Sequence, residues 1–88
     1  MSLSRKHRRT LEAVFDHPTR ANIRWQDVES LLLALGAQLS QGAGSRVRVR
    51  LGDQVMTFHR PHPGNQTRRY AVEAVGGLLA DHGHAPEG

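Results

Sequence analysis

The sequence predicts an α+β domain with helices packed on one face of a three-stranded antiparallel sheet. Three observations predict it. Ser45-Arg46-Val47-Arg48-Val49-Arg50-Leu51 alternates strictly between polar and apolar, the mark of a strand buried on one side. A two-residue Gly52-Asp53 turn signal follows and calls for a returning strand. Apolar residues recur at helical spacing on both sides of this hairpin. With 88 residues the chain is one domain, burying about 60–65% of its unfolded surface.

The elements follow in order. Residues 4–16 form a helix whose Leu11, Val14 and Phe15 share a face, and His17-Pro18 ends it because the residue before proline avoids the helical region. Asn22-Ile23-Arg24 runs extended into a second helix over 25–35. There Val28, Leu31, Leu32 and Leu35 form the buried stripe, Asp27 suits the positive helix start, and Gly36 terminates the helix. Residues 37–41 form a short strand with Leu39 inward, and Gly42-Ala43-Gly44 is a loop. In the hairpin, counting outward from the turn sets Leu51 opposite Gln54, Arg50 opposite Val55, Val49 opposite Met56, Arg48 opposite Thr57, Val47 opposite Phe58 and Arg46 opposite His59. Gln54 is then a polar intruder on the apolar face. Residues 61–67 form a Pro-rich loop. A last helix spans 68–81 with Val72, Val75 and Leu79 inward, and Gly76-Gly77 weakens it by about 1 kcal/mol per glycine. Trp25 and Tyr70 read as core or core-edge residues. The tail, 83–88, reads as frayed.

Charge narrows the function. Eleven of twelve basic residues are Arg, and the net charge is +4. It is segregated: +4 over residues 1–24, −2 over 25–44, +5 over 45–69 and −3 over 70–88. Guanidinium forks suit phosphate and stack on bases, so the basic middle reads as an anion-binding surface. Arg46, Arg48 and Arg50 share one strand face about 6.6–7 Å apart. This is comparable with the spacing of phosphates on an extended single strand, roughly 6–7 Å. A solvated outer sheet face is the plain alternative.

Cysteine is absent, which excludes disulfides, Cys-ligated zinc, iron–sulfur clusters and thiol nucleophiles. No apolar run exceeds five residues, so no membrane span is expected, and the basic start lacks the apolar stretch of a signal peptide; a cytoplasmic protein is the expectation. His59 and His62 lie closest to the basic face and suit general-base chemistry near neutral pH. Arg46 beside His59 favours the uncharged, proton-accepting imidazole. Surface histidines at the edge of a loop are the plain reading. As a metal site His59-x-x-His62 offers too few ligands, with Arg46 and Arg60 repelling a cation. No metal or small-molecule cofactor is expected.

Leu35-Gly36, a short strand, Gly44-Ser45, a basic hairpin, a His-Pro loop and a final helix together resemble the HicA family of toxins, over about residues 23–83. The resemblance implies a fold similar to double-stranded-RNA-binding domains, α-β-β-β-α. The basic helical segment 1–22 would then be an N-terminal extension and 84–88 a disordered tail. It implies a type II toxin–antitoxin module, an mRNA interferase (a metal-independent endoribonuclease acting on mRNA), and a HicB-like antitoxin as protein partner. Family members carry Gly-Ser-His at the start of the middle strand, with that histidine catalytic. Here Gly44 and Ser45 match and Arg46 occupies the histidine position. A second family histidine, near the end of the third strand, corresponds to His62 by distance to the last helix, or to His59 by strand register. The expected catalytic residues are therefore His59 and His62, and the expected RNA-binding residues are Ser45, Arg46, Arg48, Arg50 and Arg60. Arginine does not release a proton near neutral pH, yet it binds phosphate and stabilises developing charge. The alternatives are a catalytically silent RNA-binding or antitoxin-binding module, and an adaptor that uses the basic face against an acidic partner.

Overall fold

The computed structural model describes residues 3–61 and 65–86. The element order is α1 (Arg5–Val14), α2 (Trp25–Ala34), β1 (Gln38–Gln41), β2 (Arg46–Leu51), β3 (Gln54–His59) and α3 (Arg69–Asp81). The sheet is antiparallel with strand order β1-β2-β3. This is the expected α+β class with a dsRBD-like α-β-β-β-α order preceded by one helix. The β2–β3 register matches the expectation at all six pairs, from Arg46↔His59 to Leu51↔Gln54.

Local chemistry explains the boundaries. Ser4 caps α1, its hydroxyl accepting from the His7 amide at 3.2 Å. Gly36, at φ +95°, closes α2: its own N–H reaches Leu33 O and the Ala37 N–H reaches Leu32 O, the paired bonds of a Schellman motif. Gly83 and His84 repeat that pattern at the end of α3. Gly52 adopts φ +61° at the first central position of the hairpin turn, where a type II′ turn requires glycine.

The core is one cluster. Val47, Val49, Leu51 and Phe58 from the inner sheet face meet Trp25, Val28, Leu31 and Leu32 of α2 and Val72, Val75, Leu78 and Leu79 of α3. Trp25 lies tilted against Phe58, with ring centroids 5.8 Å apart. The C-terminal end of α3 reaches the hairpin, where His82 Nε2 stands 3.2 Å from Gln54 Oε1. The polar residue at the turn thus has a partner. Helix α1 packs on α2 and α3 on the helical side, adding Leu11 and Val14 to the core. Val14 Cγ1 would lie 3.6 Å from a Cβ on Gly76, so the glycine marks where α1 meets α3.

Tyr70 departs from expectation. It is 51% exposed, because it lies one position before the buried Ala71 and Val72 on α3 and so points off the apolar stripe. His62 lies outside the described residues, as do Glu87 and Gly88 of the tail.

Candidate nucleic-acid interface

The outer sheet face is built by strand parity. On β2 the side chains alternate exposed and buried, so Val47, Val49 and Leu51 enter the core and Arg46, Arg48 and Arg50 line up in solvent. Pairing fixes their neighbours. On β3, His59 faces Arg46, Thr57 faces Arg48 and Val55 faces Arg50. On β1, Ser40 faces Arg48 and Gln38 faces Arg50. The arginines form the central row, flanked by small or uncharged side chains and one histidine.

The row is short of counter-charge. The ion pairs among the described residues are Lys6–Asp27, Arg20–Asp16 and Arg60–Glu29, and none involves β2. Arg50 Nε makes only a long contact, 3.4 Å, to Gly52 O. Three guanidinium groups side by side repel one another, and an anion laid along them relieves that repulsion.

Ser45 is exposed at the start of the row, and its carbonyl accepts from the Arg60 amide at 2.8 Å, extending the ladder beyond Arg46↔His59. His59 is exposed on the same face, directly across from Arg46. Directly opposed residues hold their Cβ atoms about 4.5–5.5 Å apart, so an imidazole and a guanidinium there can meet one phosphate group.

Arg60 is not brought to the row. It follows His59 and points the other way, where Nε reaches Glu29 Oε2 at 3.2 Å and Nη1 reaches Gln41 Oε1 at 2.6 Å. The same Glu29 oxygen accepts from Trp25 Nε1 at 2.6 Å. This Trp25–Glu29–Arg60–Gln41 network ties α2 to β1 and to the end of β3, and sequence reasoning did not find it. A signal was available: Trp25 and Glu29 lie at i, i+4, and a buried indole N–H needs an acceptor. The flanking Ser40, Gln38 and Thr57 were likewise not singled out, though register alone places them.

Among the described residues no group of three or more His, Asp or Glu stands together as a metal site. No described helix is long and apolar enough to cross a membrane. No curated protein and no solved structure matched the chain. A family model did match: the HicA toxin of bacterial toxin–antitoxin systems, over residues 25–83. That span runs from the first residue of α2 past the end of α3 and takes in the whole sheet with its arginine row. The chain belongs to the HicA toxin family.

Proposed function

We propose that this toxin binds a single strand of RNA along Arg46, Arg48 and Arg50 and cleaves mRNA at the His59 end of that row. The observation that carries the reading is the unneutralised arginine row with His59 paired across from Arg46. Phosphates seat along the row, with Ser45 at its start. His59 takes the proton from a ribose 2′-hydroxyl as that oxygen bonds to the neighbouring phosphorus. The bond from phosphorus to the 5′-oxygen breaks, leaving a 2′,3′-cyclic phosphate. The departing 5′-oxygen takes a proton from water or from His62. Arg46 stabilises the charge on the non-bridging oxygens of the transition state. Arg60, held by Glu29, anchors the strand that carries His59. A HicB-like antitoxin restrains the toxin, and an acidic surface on it would complement the same row.

Arg46, at the position where the resembled family carries its histidine, favours a second reading, a silenced relative that binds without cutting. One experiment separates the two. RNA is incubated in EDTA with the native chain, with Arg46→His, and with the His59→Ala/His62→Ala double variant, and resolved on a denaturing gel. Cleavage by the native chain that vanishes in the double variant supports the ribonuclease. Cleavage by Arg46→His alone assigns the native chain to binding.

A further inference from the structure

Helix α1 lies outside the family match, and its charge pattern conflicts with its own stability. Arg5, Lys6, Arg8 and Arg9 crowd its first turns, with no acid in the first turn. Cations at a helix N-terminus oppose the helix dipole, and like charges at i, i+3 and i, i+4 repel. Local rules are broken in this way mainly where a function compensates.

Beside this helix is a cleft of about 280 Å³, lined by Arg9 and Thr10 of α1, by Arg20, Asn22 and Arg24 of the connecting segment, and by Asp27 of α2. The one acid lining it, Asp27, is engaged by Lys6 at 3.5 Å, and Arg20 is engaged by Asp16 at 2.5 Å. Arg9 and Arg24 have no carboxylate partner among the described residues. The Thr10 hydroxyl is turned to Lys6 O at 3.2 Å, so the donors facing the cleft are the two free guanidinium groups and the Asn22 amide, a set suited to a phosphate oxygen.

A chain of contacts links the Arg24 side of the cleft to the strand end that carries His59. Arg24 bridges to Gln66, the Trp25 amide donates to Asn65 O at 2.7 Å, Trp25 rests on Phe58, and Arg60 joins Glu29 to the strand end. We infer that Arg9 and Arg24 form a second phosphodiester site, which holds the RNA strand after it leaves the Arg46–His59 end of the row. This rests on the RNA reading above and extends it to the length of RNA engaged. A strand that spans both sites turns around the end of the molecule, since the row faces away from the helices.

The test uses the full chain and unstructured RNAs of about four and about sixteen nucleotides, with binding followed by fluorescence anisotropy across a salt series. Each phosphate contact contributes about 0.7 to the slope of log affinity against log salt for a single strand. For Arg9→Ala/Arg24→Ala the long RNA should bind more weakly, with a slope shallower by about 1.4. The short RNA, which the row alone accommodates, should keep its affinity. Arg9→Lys/Arg24→Lys should retain the slope, and Trp25 fluorescence should show each variant folded. The inference is overturned if the long RNA keeps its slope in the alanine variant while Arg46→Ala/Arg48→Ala/Arg50→Ala loses it, which leaves the row intact as an RNA site. Equal weakening of both RNAs also overturns it, because the cleft would then act as diffuse charge. Binding that responds to neither set removes the RNA reading itself, and the cleft with it.

Discussion

Replacing Glu29 with alanine tests what holds α2 to the strand ends. Glu29 Oε2 accepts from two donors, Trp25 Nε1 at 2.6 Å and Arg60 Nε at 3.2 Å. Trp25 is only 4% exposed, so Glu29→Ala strands a buried indole N–H at a cost of about 1–3 kcal/mol. The ion pair adds little. Its side chains are 36% and 23% exposed, and such pairs contribute about 0–1 kcal/mol. The expected loss is therefore about 2 kcal/mol, which lowers Tm by roughly 8–16 °C in a domain of this size. Glu29→Gln keeps an acceptor for the indole and gives up only the charge, so its loss should stay near 0.5–1 kcal/mol. Urea unfolding followed by the fluorescence of Trp25, the single tryptophan, measures both variants in one assay. If glutamine proves as damaging as alanine, the ion pair carries the stability and the argument from the indole is wrong. A loss below about 0.5 kcal/mol for alanine, the range of an ordinary surface change, refutes the network as a structural tie.

Three further outcomes are expected. Arg48→Ala should make the salt slope of single-stranded RNA binding shallower by about 0.7 with no change in the urea midpoint, whereas Arg60→Ala should shift the midpoint and leave the slope alone. Gly77→Ala should stabilise α3 by up to about 1 kcal/mol, because no atom lies within 4 Å of a Cβ added there; thermal unfolding checks this. Gly52→Ala should destabilise by about 2 kcal/mol in the same assay, since its φ of +61° disfavours a side chain and the added Cβ would sit 2.9 Å from His82 Cε1.

The hairpin was legible because its signals are local. A two-residue turn and strict alternation fix which side chain meets which, and every β2–β3 pair follows by counting. The helix stripes and the Gly36 terminus were legible for the same reason. Arg60, grouped with the other arginines by charge, lies off their row, since parity one step past His59 turns it toward the helices. Its partner Glu29 is 31 residues away, a separation that no local pattern encodes. Tyr70 reads as core or core-edge on its residue type alone, and its place off the Val72, Val75 and Leu79 stripe leaves it exposed. Gly76 reads in sequence as a weak point of a helix, and only the fold reveals it as the place where Val14 makes contact. The amphipathic character of α1 was visible, but not the pair of helices that receives it.

That contact couples two properties usually treated apart. A ten-residue helix on its own is marginal in water, so α1 persists because Leu11 and Val14 are clamped into the common core. The coupling runs both ways. Any ligand that binds the cations of folded α1 and not those of the unfolded chain raises the melting temperature of the whole domain by mass action. The thermal stability of this toxin is therefore expected to rise with the concentration of any polyanion that binds folded α1.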